Sequence, residues 1–191
     1  VLDCGFESFL DYYYFLKYDP AGADEWPRLA DALSVQETYF WREMDQIHGL
    51  ADEVLPYLMK LDRGGPIRIW SAACATGEEP LTIAMRLNED CWFERAQIEI
   101  YASDASSAAL QRARQGVYGG RSFRALPPHL KEKYFTPEGK NWRVSQAIHE
   151  RVKWSRANLI DPEAVAALAG VPVIFCRNVF IYFSADAVRR V

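Results

Sequence analysis

Four short segments carry the side chains that could do chemistry, and each follows a run rich in β-branched or aromatic residues. The first, Ala72 to Pro80, reads AACATGEEP. Its small residues let a backbone come close to a ligand, and a helix opening at Glu78 leaves N–H groups without intrahelical partners. The loop holds a single glycine and does not match GxGxxG, and Glu78 and Glu79 would repel a phosphate. The two carboxylates equally suit the positive end of a helix. Asp104 is placed to accept bonds from ribose hydroxyls or to cap the helix that follows it. Asn158-Leu159 and Cys176-Arg177-Asn178 complete the set. Acidic and amide groups at four such positions, with no phosphate cradle, fit a nucleoside cofactor that carries no phosphates.

These segments need a scaffold that brings them to one edge. Ile67–Ser71, Ile98–Ser103, Val152–Ser155 and Val171–Cys176 read as strands, with helices predicted over 78–88, 106–114 and 162–169. That βαβα alternation predicts an α/β fold, a parallel sheet covered by helices on both faces. Ligands of such sheets bind outside the carboxyl ends of the strands, where the strand order reverses. The interval 116–150 breaks the alternation, with Gly119-Gly120 and Pro127-Pro128 as punctuation, and reads as an inserted mini-subdomain. Ahead of the sheet the chain reads as helical. Phe6, Phe9, Leu10, Tyr13, Tyr14 and Leu16 recur at three- and four-residue spacings. A turn over Asp19–Asp24, a helix over 26–33 and a third helix over 45–61 follow. Ser34 and Glu37 resemble a capping box. Asp62-Arg63-Gly64-Gly65-Pro66 marks a boundary. The expected organisation is a helical lobe over 1–63 and an α/β domain over 64–191, with a small β-insert over 117–151.

Composition narrows the function classes. A chain of 191 residues suffices for one sizeable core, or a domain plus a small helical lobe. No apolar run approaches the roughly 20 residues of a membrane helix, and no secretory signal pattern is present, so direct membrane insertion is not expected. The four cysteines (Cys4, Cys74, Cys91, Cys176) form no CxxC pair, and the three histidines stand at spacings no metal cluster would use. No metal is expected, and reduced thiols fit a cytoplasmic setting. The net charge of −4 is unevenly spread. Residues 1–63 hold thirteen Asp/Glu against five Lys/Arg, and residues 105–157 hold eleven Lys/Arg against three Asp/Glu. The basic stretch lacks a nucleic-acid motif with interleaved aromatics. It suits an acidic protein partner or a solvated face, and no nucleic acid is expected.

The sequence resembles the CheR-type chemotaxis receptor methyltransferases. The matching strings are Glu37-Thr-Tyr-Phe-Trp-Arg42, Trp70 to Pro80 (WSAACATGEEP), Ala102-Ser-Asp104, Ala113 to Tyr118 (ARQGVY), Asn158-Leu159 and Ile174 to Phe183 (IFCRNVFIYF). They stand in the family's order and spacing over essentially the whole chain. The resemblance implies a Rossmann-like S-adenosyl-L-methionine domain with a small N-terminal helical lobe and an inserted β-subdomain. It implies that Thr38, Arg42, Glu78, Asp104, Asn158 and Leu159 line the cofactor site, with Cys176, Arg177 and Asn178 beside it. Arg42 and Tyr182 match the pair that flanks the transferred methyl group. The family's basic receptor-contacting helix has no counterpart here, and its sheet continues past the position of Val191, so the chain reads as trimmed at both ends. Trp41 stands where the family often has Phe. The short segment between Phe135 and Val144 makes dependence on a receptor-tail peptide unexpected.

The resemblance further implies transfer of a methyl group from S-adenosyl-L-methionine to glutamate carboxylates in the cytoplasmic methylation region of chemoreceptors, with S-adenosyl-L-homocysteine as the other product. A glutamate is already ionised at neutral pH, so no general base is required. Arg42 would orient the incoming carboxylate, Tyr182 would shape the transfer site, Asp104 would hold the ribose, and Glu78 would serve the cofactor's amino-acid end or organise its loop. Two other readings stay open: a methyltransferase of another substrate class, and a non-catalytic module that senses the cofactor. Retention of both Arg42 and Tyr182 speaks against the second.

Overall fold

The computed structural model describes residues 5–33, 37–61 and 64–191. Ser34 of the expected capping box, Cys4, and Asp62-Arg63 of the expected boundary lie outside the described residues. The chain divides into two compact units, residues 1–35 and 36–191.

The first unit is a helical pair, α1 (Phe9–Tyr18) and α2 (Gly22–Leu33). Ser8 caps α1 by accepting from the Asp11 N–H at 3.1 Å, and Asp19 ends it. The turn is tight because α2 starts at a glycine: a Cβ on Gly22 would lie 2.5 Å from the Phe15 carbonyl oxygen. The buried residues of α1 are Tyr12 and Leu16, one helical turn apart, and the Tyr12 hydroxyl donates to Glu25. Phe9, Leu10, Tyr13 and Tyr14 are exposed. A helix that is apolar nearly all round cannot bury every face against one partner helix.

The second unit opens with the loop 37–44 and a bent helix: α3 (Asp45–Gly49), a π-helical turn (Leu50–Val54) and α4 (Leu55–Lys60). Then come β1 (Ile67–Ala72), α5 (Glu78–Glu89), α6 (Trp92–Arg95), β2 (Ile98–Asp104) and α7 (Ser107–Gln115). The insert contributes β3 (Val117–Tyr118), α8 (Pro128–Tyr134), β4 (Phe135–Glu138), β5 (Asn141–Val144) and α9 (Gln146–His149). The chain closes with β6 (Val152–Arg156), α10 (Pro162–Val165), β7 (Val173–Phe175), a 3₁₀ turn (Phe180–Tyr182) and α11 (Ala185–Val188). The helix spanning 45–60 packs with the sheet: Ile47, Leu50 and Leu55 belong to its main apolar cluster. The compact division falls at 35/36, and these side chains have their apolar partners on the sheet side.

The main sheet is parallel throughout, in the order β6-β2-β1-β7. The chain steps outward from β1 through β2 to β6, then crosses back to the other side of β1. The order therefore reverses between β1 and β7, where a ligand crevice belongs. Alternate residues of β1 serve two cores, as the two-residue period of a strand requires. Ile69 joins the cluster with Leu81, Ile83, Met85 and Ile100, whereas Trp70 and Ala72 join Leu159 and Leu168 on the other side. The insert forms its own antiparallel sheet, β3-β5-β4. Among the described residues, no helix is long and apolar enough to cross a membrane.

Candidate functional site

Because β1, β2, β6 and β7 are parallel, the loops after all four leave at one edge. The loop after β1 is the most distorted. Ala73 and Ala75 adopt left-handed backbone conformations (φ 56° and 48°), as does Gly77 (φ 94°). Such conformations cost a non-glycine residue about 1–3 kcal/mol and persist only where the surroundings impose them. Here the imposing groups are visible. The Cys74 N–H donates to the Ser103 carbonyl at 2.9 Å, and the Ala75 N–H donates to Asp104 Oδ2 at 2.8 Å. Asp104 Oδ1 accepts the Ser106 N–H at 2.8 Å, so one carboxylate ties the β1 loop to the start of α7. Gly77 is required on steric grounds as well, since a Cβ there would meet the Trp154 ring at 2.7 Å.

The two glutamates that open α5 point to different partners. Glu78, 2% exposed, accepts from the hydroxyls of Thr76 (2.6 Å) and Ser122 (2.9 Å). Burial pushes its carboxyl above the usual range, and the two hydroxyls offset part of the rise. The Tyr118 hydroxyl donates to the Thr76 carbonyl, so the insert also secures this loop. Glu79 accepts from the Ser71 hydroxyl at 2.7 Å and pairs with Arg177 at 3.2 Å.

The loop 37–44 is the third wall. Phe40 is fully buried among Tyr118, Phe123 and Phe135, with ring centroids at 4.8, 5.4 and 4.9 Å. Its N–H donates to the Ser122 carbonyl, and the Trp41 N–H donates to Thr82 Oγ1. Trp41 and Glu43 are left-handed (φ 67° and 47°) on either side of Arg42. The Arg42 guanidinium donates to the Glu37 carbonyl, lies 3.5 Å from Glu43 and stacks near the Tyr39 ring. Arg177, from the loop after β7, donates to the carbonyls of Arg42 (3.0 Å) and Glu43 (3.2 Å) and to the Glu43 carboxylate (3.1 Å).

Arg42 and Arg177 therefore join directly. Asp104 joins the β1 loop, and Glu78 reaches the insert through Ser122. Asn178, beside Arg177, is left-handed (φ 57°). Among the described residues, five of the six left-handed non-glycine residues lie in the loop 37–44 (Trp41, Glu43), the loop after β1 (Ala73, Ala75) and the loop after β7 (Asn178), with Cys91 the sixth. Thr38 is half-buried in the loop 37–44. Asn158 is exposed, its Oδ1 accepting the Ile160 N–H, whereas Leu159 is buried with Trp70 and Leu168. Cys176 is half-buried, and burial raises its thiol. Tyr182 sits in the 3₁₀ turn and is 59% exposed.

Reasoning from the sequence missed Ser71, Ser122, Glu43 and the pairing of Glu79. A serine inside an otherwise apolar central strand is a usable signal for Ser71, because a buried hydroxyl needs a partner. Nothing in the spacing marks Ser122 or Glu43.

Carboxylates at the ends of β1 and β2, beside a loop of small left-handed residues, suit hydroxyl and ammonium groups and a cation, and oppose phosphate. That donor set could hold a sulfonium nucleoside. Among the described residues, no three His, Cys, Asp or Glu side chains come together to hold a metal.

Residues 36–191 match the family model described as CheR methyltransferase, SAM binding domain. The chain is 38% identical over 187 residues to chemotaxis protein methyltransferase 2 of Vibrio cholerae, covering 96% of this chain and 64% of that protein. It is 37% identical over 172 residues to chemotaxis protein methyltransferase 1 of Pseudomonas aeruginosa, covering 85% of this chain and 61% of that protein. The chain thus spans just under two thirds of these curated relatives. A solved structure, magnesium protoporphyrin IX methyltransferase (ChlM) from Synechocystis PCC 6803 with bound SAH, overlaps 95% of this chain and 63% of its own at 16% identity. Its TM-score of 0.35 is too low for any argument to rest on it.

Proposed function

The chain belongs to the CheR methyltransferase family, and from that premise we propose that it methylates glutamate side chains of chemoreceptors, using S-adenosyl-L-methionine and releasing S-adenosyl-L-homocysteine. The observation that carries this reading is the strained loop after β1 at the carboxyl edge of the sheet, tied to Asp104 and leading into Glu78, with the Arg42 backbone held by Arg177 from the loop after β7. The setting is the cytoplasm, and the partner is the receptor's cytoplasmic methylation region, without a need for a tail-peptide tether.

S-adenosyl-L-methionine supplies an electrophilic methyl group on a sulfonium centre. The protein's residues do the rest by positioning. Asp104 accepts from ribose hydroxyls while it holds the Ala75 N–H, since a carboxylate can take about four hydrogen bonds. Glu78 fixes its loop from a buried position. Arg42 holds the substrate carboxylate by charge-assisted hydrogen bonds and aligns one oxygen for attack. The substrate glutamate is ionised at neutral pH, so no residue needs to remove a proton. Tyr182 would help shape the methyl-transfer site by hydrogen bonding. Alignment of two reactants supplies roughly 7–11 kcal/mol of barrier reduction in such reactions.

Two measurements test the proposal. Calorimetric titration with S-adenosyl-L-homocysteine should show saturable binding that Asp104→Ala weakens. Receptor cytoplasmic fragments incubated with methyl-tritiated S-adenosyl-L-methionine should acquire base-labile label. Base-stable label would move the reading to a methyltransferase of another substrate class. Binding without any transfer would make the chain a cofactor-sensing module.

A further inference from the structure

We infer that Arg121 and Arg124, which the insert holds beside the Arg42 loop, form a second carboxylate site. It takes an acidic residue of the substrate chain next to the glutamate being methylated. The inference rests on the methyl-transfer reading, because it concerns how that substrate is chosen. Both arginines belong to a short 3₁₀ turn (Gly120–Phe123) and the residue that follows it. The two residues between them are fixed. The Ser122 hydroxyl donates to Glu78 at 2.9 Å, and the Ser122 carbonyl accepts the Phe40 N–H at 2.9 Å. Phe123 is buried against Phe40 and Phe135, with ring centroids at 5.4 and 4.9 Å. With those two anchored, Arg121 and Arg124 stand exposed to solvent. The bond from the Phe40 N–H also sets this turn in register with the loop 37–44, which carries Arg42.

The guanidinium groups converge on Glu37 and Tyr39. Arg124 stacks on the Tyr39 ring at 3.7 Å from its centroid, and Arg42 lies 5.6 Å from the same centroid. The Glu37 carbonyl accepts from Arg42 at 2.5 Å, while its carboxylate pairs with Arg124. A hydrogen bond from Arg124 and its charge, with smaller shares from Arg42 and Arg121, hold the Glu37 carboxyl below the usual range. A carboxylate at this spot therefore meets the field of three arginines. Glu37 is a loose occupant, since its side chain is 57% exposed and that of Arg124 is 44% exposed. Ion pairs so open to water are weak, and a substrate carboxylate that brings further chain contacts can displace it. Among the described residues, Arg121 has no ion-pair partner to give up. Lys133, Arg143 and Lys131 of the insert are engaged elsewhere, with Glu89, Glu138 and the Trp142 ring. Two further arginines beside Arg42 thus favour a segment that presents more than one carboxylate.

The test measures methyl transfer to a receptor cytoplasmic fragment, and binding of the same fragment by fluorescence anisotropy. Wild type is compared with variants whose folding is checked by their thermal transitions. Arg121→Gln combined with Arg124→Gln should raise KM and Kd for the fragment about tenfold, leave kcat within about twofold, and flatten the dependence of KM on salt. S-adenosyl-L-homocysteine should bind this double variant as it binds wild type. Glu37→Gln should lower KM about threefold, because the competing carboxylate is gone. Lys140→Gln removes an exposed charge from the turn between β4 and β5 and should change KM by less than about twofold. With a fragment whose acidic residues beside the methylated glutamate are replaced by amides, wild type should lose its advantage over the double variant. An unchanged KM in the double variant overturns the inference. An equal rise in Lys140→Gln does so too, since it would show only general attraction between opposite charges. The same holds if Glu37→Gln raises KM as the arginine variant does, because the pair would then merely brace the loop. Wild type that binds the fragment without transferring methyl refutes the proposed reaction, and Kd alone then supports or overturns the site. Wild type that neither binds nor methylates the fragment refutes both.

Discussion

Arg42, Asp104 and Glu78 differ in what their removal should expose. Arg42 touches protein mainly through the Glu37 carbonyl and the Tyr39 ring, both near the surface. Arg42→Ala should therefore cut turnover by about 100-fold, the scale of a misaligned reactant, while S-adenosyl-L-homocysteine binds nearly as before. Steady-state kinetics beside calorimetry check this, and an equal loss of both would remove Arg42 from the substrate side. Asp104→Ala strips acceptors from the Ala75 and Ser106 N–H groups, at about 1–3 kcal/mol each if they stay buried. It should lower both the thermal midpoint and cofactor affinity. Glu78 carries the opposite sign. Burial raises its carboxyl above the unfolded value, so its contribution is full below that value and is lost as pH rises through the folded one. Above the folded value that contribution is absent. Glu78→Gln should raise the midpoint at pH 7 and flatten the decline in stability between acid and neutral pH, while cofactor binding falls. Thermal melts across pH decide it, and a lower midpoint at pH 7 would contradict the sign.

At the scale of elements, one glycine sets the spacing between the β1 loop and the sheet's flank. Gly77 lies where an added Cβ would sit 2.7 Å from the Trp154 ring and 3.0 Å from Ala113 Cβ, with a left-handed φ besides. Trp154 comes from β6 and Ala113 from α7, so the turn into α5 rests on both. Gly77→Ala should destabilise by at least about 1–3 kcal/mol, from overpacking and backbone strain together. The displaced turn should also weaken S-adenosyl-L-homocysteine binding. Denaturant unfolding measures the first effect and calorimetry the second. Wild-type stability in this variant would mean that the turn moves aside freely, and the close approach would lose its role.

For the whole molecule, the distribution of buried side chains predicts which part folds by itself. Both apolar clusters draw on residues from Phe40 onward, and the compact unit 36–191 contains the entire sheet and the insert. Protein trimmed to residues 36–191 should unfold in a single cooperative transition and keep its circular-dichroism signature. A broad, non-cooperative melt would show that the core needs the first unit. Phe40 is the residue to watch here, because it fastens the 37–44 loop into the aromatic cluster of the insert.

Much of this molecule was legible in its sequence, for local reasons. The four strands of the sheet, the helices that follow β1 and β2 and the inserted β-structure follow from hydrophobic period and from glycine and proline punctuation, and the observed bounds differ by a few residues. The positions of Glu78, Asp104 and Arg177 at strand ends follow from the same pattern, because a parallel sheet sends all such ends to one edge. The tertiary structure decided what no spacing could: that the helix over 45–60 packs on the sheet, that Ser122 reaches Glu78 across 44 residues, and that Arg177 grips the Arg42 backbone across 135. Period and propensity are properties of neighbours along the chain. Burial, left-handed strain and ion pairing between distant segments exist only once the cores have formed and water has left the groups that pair.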